Sequence, residues 1–137
     1  MPKKPITDLN KFRDQFVRWT LRRASFRWPP RGEALKAARF DRGLYRCAVC
    51  AKVYATKEVR IDHVHPVVPV PQIVYDMRGA IVSASAGDVS LGQYVLRLFT
   101  EAGGLQVLCQ SCHKLKTDGE NNVRKEYRRW LKGRNKI

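Results

Sequence analysis

Apolar residues recur at helical spacing near the start of the chain. The four residues that form this stripe are Leu9, Phe12, Phe16 and Trp19. Spacings of three and four positions place all of them on one face of a helix. Thr7 or Asp8 can cap the first turn with a side-chain oxygen, and we predict that the helix runs to about Ala24. We expect the aromatic stripe to pack against the core rather than to stack on bases.

Two prolines separate this helix from a second, shorter one. Pro29 and Pro30 cannot lie in a helix interior, so we predict that the second helix covers residues 33–41. The side chains expected to face inward there are those of Leu35, Ala38 and Phe40. Short apolar runs at residues 53–54 and 59–61 then predict two strands.

The second half of the chain alternates irregular and regular segments. In order, we predict an irregular stretch at Pro66, Pro69 and Pro71, a surface loop over residues 78–88, a helix over 89–100, a strand over 105–108, and helical structure from 110 and through 118–135. This mixture predicts an α+β fold. At 137 residues we expect one compact domain, divided into a basic helical extension (1–43), a core (44–120) and a basic C-terminal helix (121–137).

Charge is the strongest compositional signal. The chain carries 27 Lys and Arg against 12 Asp and Glu, a formal net charge of +15. Residues 1–46 contribute +9, residues 47–117 contribute +2 and residues 118–137 contribute +4. A nearly neutral centre between two basic flanks favours binding of nucleic acid over a merely solvated surface.

The chain offers no segment for a membrane. No apolar run reaches the roughly 18 residues that a membrane span needs, and Met1-Pro2-Lys3-Lys4 lacks the apolar stretch of a secretory signal. We therefore expect no membrane association and a location inside a cell. Thiols stay reduced there, so the cysteines predict metal binding rather than disulfides.

The four cysteines form two Cys-x-x-Cys pairs, Cys47 with Cys50 and Cys109 with Cys112. Each pair can deliver two thiolates to one ion, and four thiolates complete the tetrahedral shell of Zn²⁺. A closed shell leaves no position for a substrate, so this zinc would be structural. Free buried thiols or a redox pair are the alternatives, and the matched spacing favours zinc.

Asp62, His63 and His113 are the candidate chemical residues. Asp62 and His113 can offer one oxygen and one nitrogen to a divalent ion and leave positions for water and phosphate. Adjacent strand residues point to opposite faces, so His63 would have an imidazole free to take a proton from water. An isolated Asp-His pair fits a structural hydrogen bond equally well. Lys116 can neutralise a phosphate, and His65 is either an auxiliary ligand or a plain surface histidine.

Two segments together resemble a known family. They are Asp62-His63-x-x-Pro66 and Leu105-Gln106-Val107-Leu108-Cys109-x-x-Cys112-His113-x-x-Lys116-Thr117. The pattern resembles the HNH endonucleases with a ββα-metal core, in the subgroup that carries a four-cysteine zinc site. It covers roughly residues 44–125. The basic helices upstream and the helix through 94–99 are similar to HNH proteins of phages.

The resemblance implies a phosphodiester hydrolase that nicks or cuts both strands. His63 would be the general base, and Asp62 and His113 would hold one Mg²⁺, Mn²⁺ or Ni²⁺ that stabilises charge on the phosphate and the leaving 3′ oxygen. One position departs from the family pattern. Gly104 stands where the family usually has Asn, so we expect the loop that braces His63 to be less rigid, with no metal ligand lost.

The resemblance also implies DNA as the substrate. The basic side chains expected to hold its phosphates are Arg22, Arg23, Lys116, Arg124, Lys125, Arg128 and Arg129. Other phage or host proteins would direct targeting, in the cytoplasm of a bacterial or phage-infected host cell. An RNA-directed nuclease and a non-catalytic zinc-containing nucleic-acid-binding protein are the alternatives. Gly104 favours the binding protein, whereas the presence of Asp62, His63 and His113 favours catalysis.

Overall fold

Helix α1 (Leu9–Ser25) begins at a capping residue that the sequence offers. In the computed structural model, which describes residues 5–134, Asp8 Oδ1 accepts a hydrogen bond from the backbone N–H of Lys11 at 3.1 Å. The predicted first helix is therefore confirmed. The prediction about a signal segment concerns residues 1–4, and part of the predicted C-terminal helix covers 135–137; both stretches lie outside the described residues.

The aromatic stripe of α1 faces solvent, so the prediction that it packs against the core was wrong. The exposed fraction lies between 44% and 58% for Leu9, Phe12, Phe16 and Trp19. Polar groups hold the other face of the helix. Arg18 donates to the Val89 carbonyl at 2.8 Å, and the Tyr94 hydroxyl donates to the Arg18 carbonyl at 3.3 Å. The inward face of α1 thus carries these polar contacts together with Leu21, which packs against the buried residues Val67, Tyr94 and Leu98.

Helix α2 (Pro29–Ala37) begins at the two prolines instead of after them. A proline in the first helical turn loses no hydrogen bond, because its N–H would have no intrahelical partner, and its fixed φ suits the helix. Residues 39–41 form a strand where the last helical turn was predicted. Phe40, which we expected inside, is 60% exposed.

A three-stranded antiparallel sheet follows, formed in order by β1 (Arg39–Asp41), β2 (Leu44–Arg46) and β3 (Val53–Ala55). Gly43 turns the chain between β1 and β2 with a φ of +71°, which glycine adopts without steric cost. The strand predicted at 53–54 is confirmed. The connection from β2 to β3 contains the first Cys-x-x-Cys pair.

Strands β4 (Val59–His63) and β7 (Leu105–Cys109) form an antiparallel pair. Both were predicted from short apolar runs, but β4 extends two residues further than predicted and so includes Asp62 and His63. Asp62 lies opposite Gln106 in this pair. Helices α2 and α4 (Gln110–Arg134) pack against β7, so the motif residues lie between a sheet and helices.

Strands β5 (Gln72–Tyr75) and β6 (Ile81–Ser85) form a separate hairpin. The surface loop predicted over residues 78–88 was therefore wrong for 81–85. Asp76 Oδ1 accepts hydrogen bonds from the N–H groups of Arg78 and Ala80 at 2.8 and 2.9 Å. Strand β6 contains alanine and serine, which have little intrinsic preference for strands. Its formation therefore depends on pairing with β5.

Two more helices complete the described chain. Helix α3 (Leu91–Leu98) is capped by Ser90 Oγ, which accepts from the N–H of Gln93 at 3.2 Å. Helix α4 is a single helix of 25 residues, so the helical segments predicted from 110 and from 118 are continuous. The half-buried apolar side of its second half consists of Val123, Tyr127, Trp130 and Leu131.

In the described part of the chain, the buried apolar residues include two packed clusters. One contains Cys47, Leu108 and Cys109, and the other contains Val67, Tyr94 and Leu98. The architecture is α+β, as predicted. Between residues 5 and 134, no helix combines the length and the apolar character needed to cross a membrane.

Candidate functional site

Four thiols converge at the end of β7. The Sγ atoms of Cys47, Cys50, Cys109 and Cys112 all lie within 4.8 Å of one another. Tetrahedral Zn–S bonds of ~2.3 Å require sulfur atoms about 3.8 Å apart, and the Sγ atoms of Cys50 and Cys109 are 4.0 Å apart. All four cysteines are free thiols. The cluster can therefore hold one structural metal ion such as zinc.

A tight turn holds the first pair of thiols, Cys47 and Cys50, close together. The N–H of Ala51 donates to the Cys47 carbonyl at 3.0 Å, and the N–H of Cys47 donates to the Lys52 carbonyl at 2.9 Å. Ala51 has a φ of +61°, an uncommon conformation for a residue with a Cβ. The N–H of Ala48 donates to the Val107 carbonyl at 2.8 Å, which joins the turn to β7 and so to the second pair.

The thiols lie in an environment that favours a cation. The N–H of Cys112, in the first turn of α4, donates to Cys109 Sγ at 3.4 Å and lowers the pKa of Cys109. Burial raises the pKa of Cys47, but backbone N–H groups outweigh it and the net pKa is lowered. The pKa of Cys112 rises to about 12 because its thiol donates to Cys109. A metal cation bound by all four sulfur atoms would favour their thiolate forms.

A cleft of about 500 Å³ lies between β4 and α4. Asp62 and His63 reach it from β4, and His113 reaches it from the first turn of α4. The structure therefore brings the three predicted chemical residues to one place. The other polar side chains of the cleft belong to Arg22, Lys116, Thr117, Glu120, Asn121 and Arg124. Because His113 directly follows Cys112, the cysteine cluster that sets the start of α4 also positions His113.

Lys116 occupies one side of Asp62. Its Nζ donates to Asp62 Oδ2 at 2.6 Å and to the His63 carbonyl at 2.7 Å, and it lies 3.3 Å from Glu120 Oε1. The side chains of Lys116 and Asp62 are 25% and 21% exposed, so the pair is partly shielded from water. The contact engages one of the two carboxylate oxygens of Asp62.

The imidazole of His63 points toward α3. Its Nε2 lies 2.9 Å from the carbonyl oxygen of Leu98. A carbonyl only accepts, so Nε2 carries the proton and Nδ1 keeps its lone pair. Burial lowers the pKa of His63, and the Leu98 carbonyl and the Asp62 carboxylate offset only part of this effect. A neutral imidazole with an available Nδ1 can take a proton from water.

The seven side chains predicted to hold phosphates are distributed along two helices. Those that line the cleft are Arg22, Lys116 and Arg124. The side chains that are exposed and do not line the cleft are those of Arg23, Lys125, Arg128 and Arg129. Of these, Arg128 lines a neighbouring hollow. Arg124 donates to the Val68 carbonyl at 2.9 Å, which holds its guanidinium at the end of the cleft.

Sequence reasoning missed several residues around this centre. Arg31 and Arg60 line a second cavity that shares Arg22, Asp62, His63 and His113 with the cleft. Hydrophobic periodicity could not predict that Arg31 lies near the site, because the position of its side chain depends on the turn between α1 and α2. Glu120 had a usable signal, since it lies seven positions after His113 and therefore on the same helix face.

His65 lies apart from the cleft. It is exposed and borders a different hollow, together with His63, Leu96 and Gly104. Its side chain is thus placed on the other side of His63 from the residues proposed to hold a metal. The surface-histidine alternative describes this position better than the auxiliary-ligand alternative.

Gly104, at the position where HNH proteins usually have Asn, makes two backbone hydrogen bonds. Its carbonyl accepts from the N–H of Val64 at 2.9 Å, and its N–H donates to the Glu101 carbonyl at 2.9 Å. A Cβ at this position would collide with Thr100 Oγ1 and lie 2.9 Å from Thr100 Cγ2. The glycine therefore ties the segment after His63 to β7 and leaves room for Thr100.

Comparison with known proteins gives no relative for this chain. No family model, no curated protein and no solved structure matches it. The resemblance to HNH endonucleases therefore depends on the motif residues and their spacing.

Proposed function

We propose that the protein is a metal-dependent HNH endonuclease that hydrolyses DNA phosphodiester bonds. The observation that carries the proposal is the convergence of Asp62, His63 and His113 on one cleft bordered by Arg22 and Arg124. The order of elements gives further support. Strands β4 and β7 pair, and α4 follows β7 directly, as a ββα-metal core requires.

The chain's own residues would share the chemistry. His63 Nδ1 would take the proton of the attacking water, because Nε2 is engaged with Leu98. Arg22 and Arg124 would position the phosphate through charge-assisted hydrogen bonds. A carboxylate oxygen of Asp62 and an imidazole nitrogen of His113 suit Mg²⁺, Mn²⁺ or Ni²⁺. Such an ion would supply charge stabilisation at the phosphate and the leaving 3′ oxygen.

Cleavage of supercoiled plasmid tests the proposal. The protein is incubated with Mg²⁺, Mn²⁺ or Ni²⁺, beside an EDTA control and the His63→Ala variant. We expect nicked or linear DNA that depends on the metal and disappears in the variant. His65→Ala is the matched control, because His65 lies outside the cleft and its loss should leave cleavage intact.

A second candidate function has specific support. Lys116 already neutralises Asp62 at 2.6 Å, and Gly104 stands at the family's Asn position. Both observations favour a zinc-containing protein that binds nucleic acid without cutting it. Under this alternative, wild type and His63→Ala would shift DNA equally in a gel, and neither would cut it with any of the three ions.

A further inference from the structure

A second cavity borders the same central residues as the cleft. Its volume is about 270 Å³, and it shares Arg22, Asp62, His63 and His113 with the cleft. The residues that distinguish it are Ser25 and Phe26 at the end of α1, Arg31 in α2, Arg60 and Ile61 in β4, and Leu98 in α3. A ligand that extends past Asp62 and His63 would therefore enter it directly.

Phe26 is an exposed aromatic residue on a hydrogen-bonded turn. The turn between α1 and α2 is closed by hydrogen bonds from the N–H of Arg27 to Ala24 and from the N–H of Trp28 to Ser25. Trp28 Nε1 also donates to the Thr100 carbonyl at 2.6 Å. The Phe26 side chain is nevertheless 66% exposed, so this turn presents an aromatic surface instead of burying it.

One cation lies over this ring, and two more arginines line the same cavity. The guanidinium carbon of Arg31 lies 5.2 Å from the centre of the Phe26 ring. Arg60 donates to the backbone carbonyls of Lys57 and Val59, which leaves its positive charge without a carboxylate. Among the described residues, no ion pair involves Arg22, Arg31 or Arg60. Aromatic rings beside available cations are the features that bind single-stranded nucleic acid.

Within residues 5–134, the one acidic residue that lines this second cavity is Asp62, which forms an ion pair with Lys116. The cavity therefore presents three arginines and a phenylalanine to whatever enters it. An acidic peptide would use the arginines but not the flat ring. A nucleotide would use both, because its phosphate is anionic and its base stacks on an aromatic face.

We propose that this cavity binds one unpaired nucleotide next to the phosphate at Asp62, His63 and His113. The base stacks on Phe26, and Arg31 and Arg60 contact its phosphate. The identity of the neighbouring phosphate rests on the proposed nuclease function. A base held in a duplex stack cannot reach a side cavity without being extruded, so the substrate class is single-stranded or locally unpaired DNA.

Binding in EDTA tests the cavity without requiring cleavage. The probes are a single-stranded oligonucleotide that carries 2-aminopurine and the same oligonucleotide in a duplex. Stacking on Phe26 should quench the 2-aminopurine fluorescence of the single strand. We expect Phe26→Ala to weaken single-strand binding by roughly 5- to 150-fold, the range expected for loss of one stacked base, and to leave duplex binding unchanged. Phe26→Trp should retain the tight binding.

Phe40 provides a matched control. It is 60% exposed, and the guanidinium of Arg46 lies 5.1 Å from its ring centre, but it borders a hollow that contains none of the proposed catalytic residues. Phe40→Ala should bind both probes like wild type. Because Phe26 and Phe40 are both exposed, thermal unfolding should show that both variants are folded.

The outcomes separate this inference from the proposed function. Equal binding by wild type, Phe26→Ala and Phe40→Ala would overturn the cavity assignment, even if the protein cuts plasmid. Equal losses of single-strand and duplex binding in Phe26→Ala would overturn it as well. Phe26-dependent quenching in a protein that cuts no DNA with any metal would uphold the nucleotide cavity and reject the nuclease.

Discussion

The four-cysteine cluster and the cleft that contains Asp62 and His113 are two polar centres joined by the start of α4. They differ in the source of the positive charge that each can hold. In the cluster, four sulfur atoms lie within 4.8 Å of one another and can hold a metal cation. In the cleft, the ammonium group of Lys116 lies 2.6 Å from the Asp62 carboxylate. A cation in the cluster would have to be added, whereas in the cleft the chain itself provides one.

This difference assigns the two centres different roles. Removal of a cation from the cluster would leave sulfur groups packed in the core beside Leu108, so the fold should depend on that ion. The cleft can exist without an added ion, because Lys116 compensates Asp62. An ion that enters the cleft must share the Asp62 carboxylate with Lys116 or displace Lys116 from it. Binding of such an ion should change activity more than stability.

Replacement of a cluster thiol should have the largest effect. Cys47→Ser removes a ligand that is 1% exposed, and we expect loss of zinc and a fall of more than about 3 kcal/mol in the free energy of unfolding. Elemental analysis of the purified protein and thermal unfolding followed by circular dichroism measure the two effects. Ser111→Ala is the control within the second Cys-x-x-Cys. A Cys47→Ser protein with wild-type zinc content and melting would contradict the structural role.

Introduction of Asn at position 104 should destabilise the segment behind the cleft. Gly104→Asn brings a Cβ against Thr100, and overpacking of this kind costs about 1–3 kcal/mol. Thr100→Ala removes the colliding Oγ1 and Cγ2 atoms, so the double variant should recover most of the loss. Urea unfolding of both single variants and the double variant measures the coupling. Strictly additive effects would show that the two positions do not compete for space.

Replacement of Lys116, whose ammonium group pairs with Asp62, should have the smallest effect on stability. Lys116→Met leaves Asp62 without its partner, and we expect a loss of about 1 kcal/mol, because both side chains remain partly exposed. The same variant should bind Mn²⁺ more tightly by calorimetry, since Asp62 becomes available. Lys114→Met, at an exposed position of the same helix, should match wild type. Unchanged or weaker Mn²⁺ binding in Lys116→Met would mean that Lys116 does not compete with the ion.

The sequence singled out three residues that meet at the cleft, but not the residues that surround them. Spacing identified Asp62, His63 and His113, because each belongs to a short motif at a strand end or a helix start. It did not identify Phe26 or Arg31, whose positions depend on the turn between α1 and α2. No local pattern records which side chains such a turn brings to a cavity.

The orientation of α1 illustrates the same limit. Its apolar periodicity correctly predicted a helix, and on average such a face turns inward because burial of apolar surface is favourable. Here Arg18 and Tyr94 make the specific contacts that hold the helix, and the aromatic stripe remains exposed. Periodicity describes one helix, whereas orientation depends on the partners of that helix.

The amino-acid sequence by itself determined the helices with strong periodicity, the two thiol pairs and the residue types available for chemistry, because these depend on neighbours a few positions apart. The tertiary structure alone decided that Lys116 meets Asp62, that His63 turns its Nε2 to Leu98, and that two cavities meet at these residues. Those contacts join positions 30 or more residues apart, and chain spacing carries no direct information about them.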